Sequence, residues 1–132
     1  MVAAAQSKIR VPSDSPARRV LVVDDELDTA ETLAVLLRQM GHEVEFAINA
    51  RAALDLAERH RPQIVFLDLG LPDMDGWDLA KRLKRLPGLE SLRILAVTGR
   101  YGEEFRRRSI EAGCEQHLVK PLDVSSVENL MR

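Results

Sequence analysis

The chain has 132 residues, of which 45% are hydrophobic and 30% charged, and its formal net charge is -2. This length suits one domain, and the near-balanced charge argues against direct binding to nucleic acid. No apolar run approaches the ~20 residues that a membrane span needs, and no secretory signal opens the chain. The single cysteine, Cys114, excludes an internal disulfide and favours a cytoplasmic location, and we expect it to be a small buried side chain.

The first 18 residues differ in composition from the rest of the chain. They combine alanine, serine, proline and scattered charge without a sustained period, which is typical of a flexible leader or linker. We therefore divide the chain into a leader over residues 1–18 and one domain over residues 19–132. The leader resembles an interdomain linker, so the domain is either free-standing or part of a longer protein.

From residue 19 onward, strand and helix patterns alternate five times, which is typical of a doubly wound α/β sheet. Short apolar runs rich in β-branched residues predict strands over residues 19–24, 43–48, 63–68, 92–98 and 115–120. Amphipathic patterns predict helices over residues 26–40, 50–61, 76–86, 103–112 and from 123 onward. We expect a five-stranded parallel sheet in the order 2-1-3-4-5, which is the commonest order for such a unit.

Polar side chains stand where four of these strands end. Asp24 and Asp25 follow the first strand, Asp68 ends the third, Thr98 ends the fourth and Lys120 ends the fifth. In an open parallel sheet, ligands bind at the carboxyl ends of the strands, so these groups should meet in one crevice. Such a crevice can hold a divalent cation and a phosphoryl group.

The residue types at these strand ends suit that chemistry. Clustered carboxylates raise each other's pKa unless a cation joins them, and oxygen ligands suit Mg²⁺ or Mn²⁺. Lys120 can neutralise a phosphoryl oxygen during transfer, and the Thr98 hydroxyl can donate to another. A plainer alternative is that Asp24 and Asp25 only cap the first helix, but their combination with Asp68, Thr98 and Lys120 favours a site.

Four motifs together resemble the receiver domain of two-component response regulators and hybrid sensor kinases. They are VLVVDDE at residues 20–26, IVFLDLGLPDMDG at 64–76, AVTG at 96–99 and LVKP at 118–121. The resemblance implies a flavodoxin-like fold in which Asp68 accepts a phosphoryl group from the phosphohistidine of a histidine kinase or a histidine phosphotransfer domain. It also implies that Asp24, Asp25, Asp68 and the backbone carbonyl of Gly70 hold Mg²⁺.

The same resemblance implies a signalling phosphoacceptor rather than an enzyme. Thr98 and Lys120 would contact the phosphoryl group, and the Lys120–Pro121 bond would be cis. Signals would pass through the fourth helix, fifth strand and fifth helix to an output domain or a second copy of the chain. His117 stands where the family often has a tyrosine or phenylalanine. We expect it to share a strand face with Lys120 and to act as a titratable switch that turns toward Thr98 or toward solvent.

Two other functions compete with this one. A Mg²⁺-dependent phosphohydrolase using Asp68 as its nucleophile would need a second acid two residues later, and position 70 is glycine. A receiver-like module that only binds partners and is never phosphorylated would not need the complete set of strand-end residues that this chain carries.

Overall fold

The computed structural model describes residues 17–99 and 102–132. The predicted leader therefore lies outside the described residues, except for Ala17 and Arg18. Arg18 is attached to the edge of the sheet, where its carbonyl accepts the Glu43 N–H at 2.9 Å. Its own N–H donates to Nδ1 of His42 at 3.1 Å.

Five parallel strands form one sheet in the order β2-β1-β3-β4-β5, which confirms the predicted fold class and topology. The strands are β1 (Arg19–Val23), β2 (Glu43–Ala47), β3 (Ile64–Asp68), β4 (Arg93–Thr98) and β5 (Gln116–Val119). The helices are α1 (Leu27–Gln39), α2 (Ala50–His60), α3 (Gly76–Arg85), α4 (Glu103–Glu111) and α5 (Val124–Leu130).

The sheet is covered on both faces because its strands alternate their side chains between two apolar clusters. Leu21 and Val65 belong to the cluster that packs against α2 and α3. Val20 and Phe66, their neighbours in the chain, belong to the cluster that packs against α1 and α5. All five residues of β3 are buried, in agreement with its central position.

The inner face of α1 combines small and large apolar side chains. The sequence pattern predicts an apolar stripe of Leu33, Leu36, Leu37 and Met40, and Leu37 and Met40 are buried in the core. Leu33 and Leu36 are half-buried and pack against the same cluster. The pattern missed Ala30 and Ala34, which are fully buried on the same helix.

The structure corrects one expectation for the last two helices and agrees with the other. The spacing of Val124, Val127 and Met131 predicts that they share an inward face, but Val124 is 51% exposed at the start of α5. The spacing of Phe105, Ser109 and Ala112 predicts a thin inward stripe on α4, and Ser109 and Ala112 are buried. Cys114 is buried as expected, and burial raises the pKa of its thiol to about 11. Among the described residues, no helix is both long and apolar enough to cross a membrane.

Candidate functional site

Three carboxylates converge at the carboxyl edge of the sheet. The parallel register pairs Val23 with Leu67, so Asp24 and Asp68, the next residues, emerge side by side. One carboxylate oxygen from each of Asp24, Asp25 and Asp68 lies within 4.8 Å of the others. Asp24 and Asp68 are buried, whereas Asp25 is exposed. Adjacent strand ends thus bring together the acidic residues singled out in the sequence.

Lys120 reaches this cluster from the end of β5. Its Nζ donates to Oδ2 of Asp24 at 3.0 Å and to Oδ2 of Asp68 at 3.1 Å. Its backbone N–H donates to the Thr98 carbonyl at 2.8 Å, which extends the β4–β5 pairing by one residue. The Lys120–Pro121 peptide bond is cis, as predicted.

The remaining carboxylate oxygens of Asp24 and Asp68 accept hydrogen bonds from the chain itself. Oδ1 of Asp24 accepts the Glu26 N–H at 2.9 Å, and Oδ1 of Asp68 accepts the Gly70 N–H at 2.9 Å. In each of these two carboxylates, one oxygen therefore accepts a hydrogen bond from Lys120 and the other accepts one from a backbone amide. Their orientations are set before any ligand arrives.

Burial and charge shift the ionisation of the paired groups. The pKa of Asp24 is raised, chiefly because burial disfavours its charged form, and the nearby Asp68 charge adds to the shift. For Lys120, burial works to lower the pKa, but the ion pairs with Asp24 and Asp68 outweigh it and the net shift is upward. Lys120 is therefore a fixed positive charge at neutral pH.

Thr98 is the last of the strand-end polar residues, and it lies at the end of the strand next to that of Asp68. It is buried at the end of β4, and Val97 pairs with Asp68, so Thr98 lies one step beyond the position opposite that carboxylate. Gly99 follows, and a Cβ built on it would meet nothing within 4 Å. The crevice is therefore open to solvent beside Thr98.

The structure corrects the expectation for His117. This residue lies three positions before Lys120, so the two side chains cannot share a face of the strand, and the prediction that they do is wrong. Nδ1 of His117 lies 3.0 Å from Oγ of Ser109, whereas Lys120 extends to the carboxylates. Because His117 pairs with Ala96, two residues before Thr98, it does share a face with Thr98.

Sequence reasoning missed the side chains that connect α3, α4 and β5. Nε1 of Trp77 donates to Oγ of Ser109 at 3.0 Å, and the same oxygen contacts His117. Phe105 packs against the indole with ring centroids 5.6 Å apart, and the Arg108 guanidinium lies 4.0 Å from the ring centre. One feature of the sequence could have predicted these contacts. Ser109 is a polar residue on the inward face of α4, and a buried hydroxyl needs hydrogen-bond partners.

A cavity of about 550 Å³ opens beside the carboxylate cluster, between α1 and the segment that follows β5. Asp24, Asp68 and Lys120 form its polar end. Its apolar walls include Leu33, Leu36, Leu122 and Val127. The site is therefore approached through a groove with one charged end and mostly apolar sides.

The donor set fits a hard divalent cation. Carboxylate oxygens are the ligands that Mg²⁺ and Mn²⁺ prefer, and Mg²⁺ usually takes only one or two carboxylates together with water and phosphate oxygens. Asp24, Asp25 and Asp68 supply such oxygens within 4.8 Å of one another, and Asp25 is exposed to solvent.

Comparisons with known proteins agree with this geometry. The chain is 31% identical over 115 residues to sporulation initiation phosphotransferase F of Bacillus subtilis, covering 86% of this chain and 90% of that protein. It is 36% identical over 109 residues to the virulence transcriptional regulatory protein PhoP of Salmonella typhimurium, covering 83% of this chain but 48% of PhoP. The chain thus spans about half the length of this second relative.

A solved structure and a family model extend the comparison to the fold. A response regulator from Burkholderia pseudomallei, solved with a phosphorylated aspartic acid, a calcium ion and citrate, superposes with a TM-score of 0.79 at 30% identity. The superposition covers 87% of this chain and 66% of that one. The family model of the response regulator receiver domain matches residues 20–132, which include every strand-end residue described above. The chain therefore belongs to the response regulator receiver domain family of two-component signalling.

Proposed function

We propose that this receiver domain accepts a phosphoryl group on Asp68 from the phosphohistidine of a histidine kinase or a histidine phosphotransfer domain, in a reaction that depends on Mg²⁺ or Mn²⁺. The observation that carries the proposal is the ammonium group of Lys120, which bridges Asp24 and Asp68 at 3.0 and 3.1 Å. A cation held beside a strand-end carboxylate is suited to neutralise the oxygens of a phosphoryl group bonded to that carboxylate.

The transfer step follows from the positions of the chain's own groups. A carboxylate oxygen of Asp68 forms the new bond to phosphorus while the bond from phosphorus to the donor imidazole nitrogen breaks, and that nitrogen keeps the electron pair. Lys120 would exchange its contact with Asp68 Oδ2 for a phosphoryl oxygen. The Thr98 hydroxyl would donate to a second oxygen, and the backbone amide of Gly70 would keep Asp68 oriented.

Asp24, Asp25, Asp68 and the carbonyl of Gly70 would hold the metal ion. When bound, the ion would neutralise phosphoryl oxygens that otherwise repel the carboxylate cluster. The aspartyl phosphate and calcium ion in the Burkholderia protein support this assignment, since that protein is similar to this chain. Asp25 would act as a direct ligand and Asp24 largely through water.

The chain would act as a signalling phosphoacceptor rather than as an enzyme with its own substrate. Its partners would be the phosphohistidine protein and, on the face formed by α4, β5 and α5, an output domain or a second copy of the chain. Residues 1–18 would form a leader or linker ahead of the domain. The single cysteine and the near-balanced charge support a cytoplasmic protein without direct nucleic-acid contact.

Substitution of Asp68 tests this function. Asp68→Asn keeps the shape of the side chain but removes the nucleophilic carboxylate, so it should abolish phosphorylation by acetyl phosphate in the presence of Mg²⁺. Intact-protein mass spectrometry measures the uptake, and beryllofluoride should shift the amide resonances around Thr98 and Lys120 only in the parent. Asp78→Asn, at an exposed acid on α3, is the matched control. Equal uptake by Asp68→Asn and the parent would refute the assignment.

A further inference from the structure

The loop between β3 and α3 begins directly after Asp68, the proposed phosphoacceptor, and hydrogen bonds fix it at both ends. At its start, the Gly70 N–H donates to Asp68, and at its end the Asp75 carboxylate accepts the Trp77 and Asp78 amides at 2.8 and 3.2 Å. The two ends also touch each other. A Cβ on Gly76 would lie 2.5 Å from the Cα of Leu69, so only glycine allows this approach.

The middle of the loop is held by Asp73, which contacts a different part of the chain. Its Oδ1 accepts the Ala50 N–H at 2.9 Å, and its Oδ2 accepts the Arg51 N–H at 3.1 Å. These amides are the first two of α2, and they come more than 20 residues earlier in the sequence. The side-chain oxygen of Asn49 accepts the N–H of Ala52, the next residue of α2, at 2.8 Å.

This contact is strong for an exposed carboxylate. The first amides of a helix lack partners within the helix and carry the positive end of its dipole, so an ionised carboxylate is favoured there. The hydrogen bonds from Ala50 and Arg51 accordingly hold the pKa of Asp73 below its usual range. Asp73 is therefore ionised at neutral pH, and both of its carboxylate oxygens accept hydrogen bonds from amides of α2.

We propose that Asp73 is a positioning residue for the phosphorylation site, which it serves by fixing the β3–α3 loop to the start of α2. The inference rests on the proposed function, in which the Gly70 carbonyl of this loop is a metal ligand. Mg²⁺ demands near-ideal octahedral geometry, so a loop that supplies one of few protein ligands must be held in place. Gly70 has no side chain to hold it, and the anchors on either side of it are Asp68 and Asp73.

The test compares the affinity for Mg²⁺ with the stability of the fold. Asp73→Ala should weaken Mg²⁺ binding about tenfold, a typical effect for a residue that orients a ligand without touching the metal. Asp73→Asn keeps one acceptor oxygen but cannot accept from both amides, so it should fall between Asp73→Ala and the parent. The affinity is measured by titrating MgCl₂ alone against Trp77 fluorescence and the Gly70 amide resonance. In metal-free protein, the Gly70 amide hydrogen should exchange with solvent faster in Asp73→Ala than in the parent.

Asn49→Ala is the control for a purely structural role. It removes the other cap of α2 without touching the loop, so it should lower the free energy of unfolding and leave the affinity for Mg²⁺ unchanged. Asp55→Ala, at an exposed acid on α2, controls for the loss of charge.

The outcomes separate the two proposals. If Asp73→Ala and Asp73→Asn lost stability but bound Mg²⁺ as the parent does, the positioning role would be refuted while the proposed function stood. If the parent itself gave no Mg²⁺ response, or if Asp25→Ala left that response intact, the proposed metal site would be refuted first. Should Asp73→Ala fail to fold, the same comparison is made with Asp73→Asn.

Discussion

Helices α3 and α4 are neighbours on one side of the sheet, but they are attached to it in different ways. α3 buries Leu79, Ala80 and Leu83 completely in the apolar cluster. α4 has one buried helical residue, Ser109, whose hydroxyl lies between Trp77 and His117. One helix is thus held by apolar burial, and the other by a buried hydroxyl together with the half-buried Phe105, which packs against Trp77.

The difference affects how easily each helix can move. Moving α3 off the sheet would expose Leu79, Ala80 and Leu83, and each leucine alone costs about 1.5–3 kcal/mol to expose. Trp77 can only donate, so the Ser109 oxygen must accept from it, and the serine proton remains available for His117. A small displacement of α4 breaks these contacts at a cost of about 1 kcal/mol each, far less than undocking α3 would cost. We therefore expect α4 to be the more mobile of the two helices.

The largest effect should come from the apolar attachment of α3. Leu83→Ala is expected to lower the free energy of unfolding by about 2–5 kcal/mol because it opens a cavity in a fully buried cluster. Urea unfolding followed by circular dichroism measures the change, and the slope against urea should stay constant. Arg82→Ala, at the exposed neighbouring position, is the control and should change little. A loss smaller than that caused by Ser109→Ala would reverse the comparison between the two helices.

Ser109→Ala should have a smaller but more local effect. It leaves the Trp77 N–H without its acceptor, which costs about 1–3 kcal/mol, partly offset by the better helix propensity of alanine. Cys114 lies just after α4 and is the only cysteine, so its reaction with a thiol reagent at pH 8 reports local opening. Because burial raises the pKa of this thiol to about 11, little thiolate is present in the folded parent and labelling should be slow.

In Ser109→Ala, labelling of Cys114 should accelerate more than the loss of global stability explains. Ser125→Ala, at an exposed serine of α5, is the matched control and should label as the parent does. If labelling rose only in proportion to global unfolding, α4 would open with the whole domain and the proposed difference in mobility would be wrong.

His117→Phe should have a smaller effect than Ser109→Ala. It keeps an aromatic ring on β5 but removes Nδ1, and Ser109 retains Trp77 as a partner. We expect Cys114 labelling to increase less than in Ser109→Ala, and the double variant to be less destabilised than the sum of the two. Non-additivity is the signature of residues that share one contact. Strictly additive losses of stability would show that the two side chains act independently.

The smallest effect should come from the exposed ion pairs of α4. Arg107 contacts Glu104 and Glu111 on the solvent face of the helix, where water and salt screen the attraction. Arg107→Ala should leave the urea midpoint and the Cys114 labelling rate close to those of the parent, at both low and high salt. Arg106→Ala on the same helix is the control. An acceleration as large as that in Ser109→Ala would mean that surface charge, rather than the buried hydroxyl, holds α4.

Local patterns were sufficient to predict the elements and the convergence of the strand-end residues. Strand length and β-branched content placed all five strands, and the Pro and Gly positions marked most of the breaks between elements. Once the strands are parallel, their carboxyl ends share one edge, so polar residues at those ends meet whatever the details of packing. Asp24, Asp68 and Lys120 come together for this reason, although 96 positions separate Asp24 from Lys120.

Tertiary structure alone decided how the helices and loops are attached to one another. Asp73 caps α2 from the β3–α3 loop, and Trp77 reaches Ser109 across 32 positions. No periodic pattern in the sequence predicts either contact, because each depends on the angle and offset at which separate elements pack. The same dependence left Val124 exposed and buried Ala30 and Ala34 beside Leu37 on the inner face of α1. Periodicity determines which elements form, whereas the geometry between elements determines which of their side chains touch.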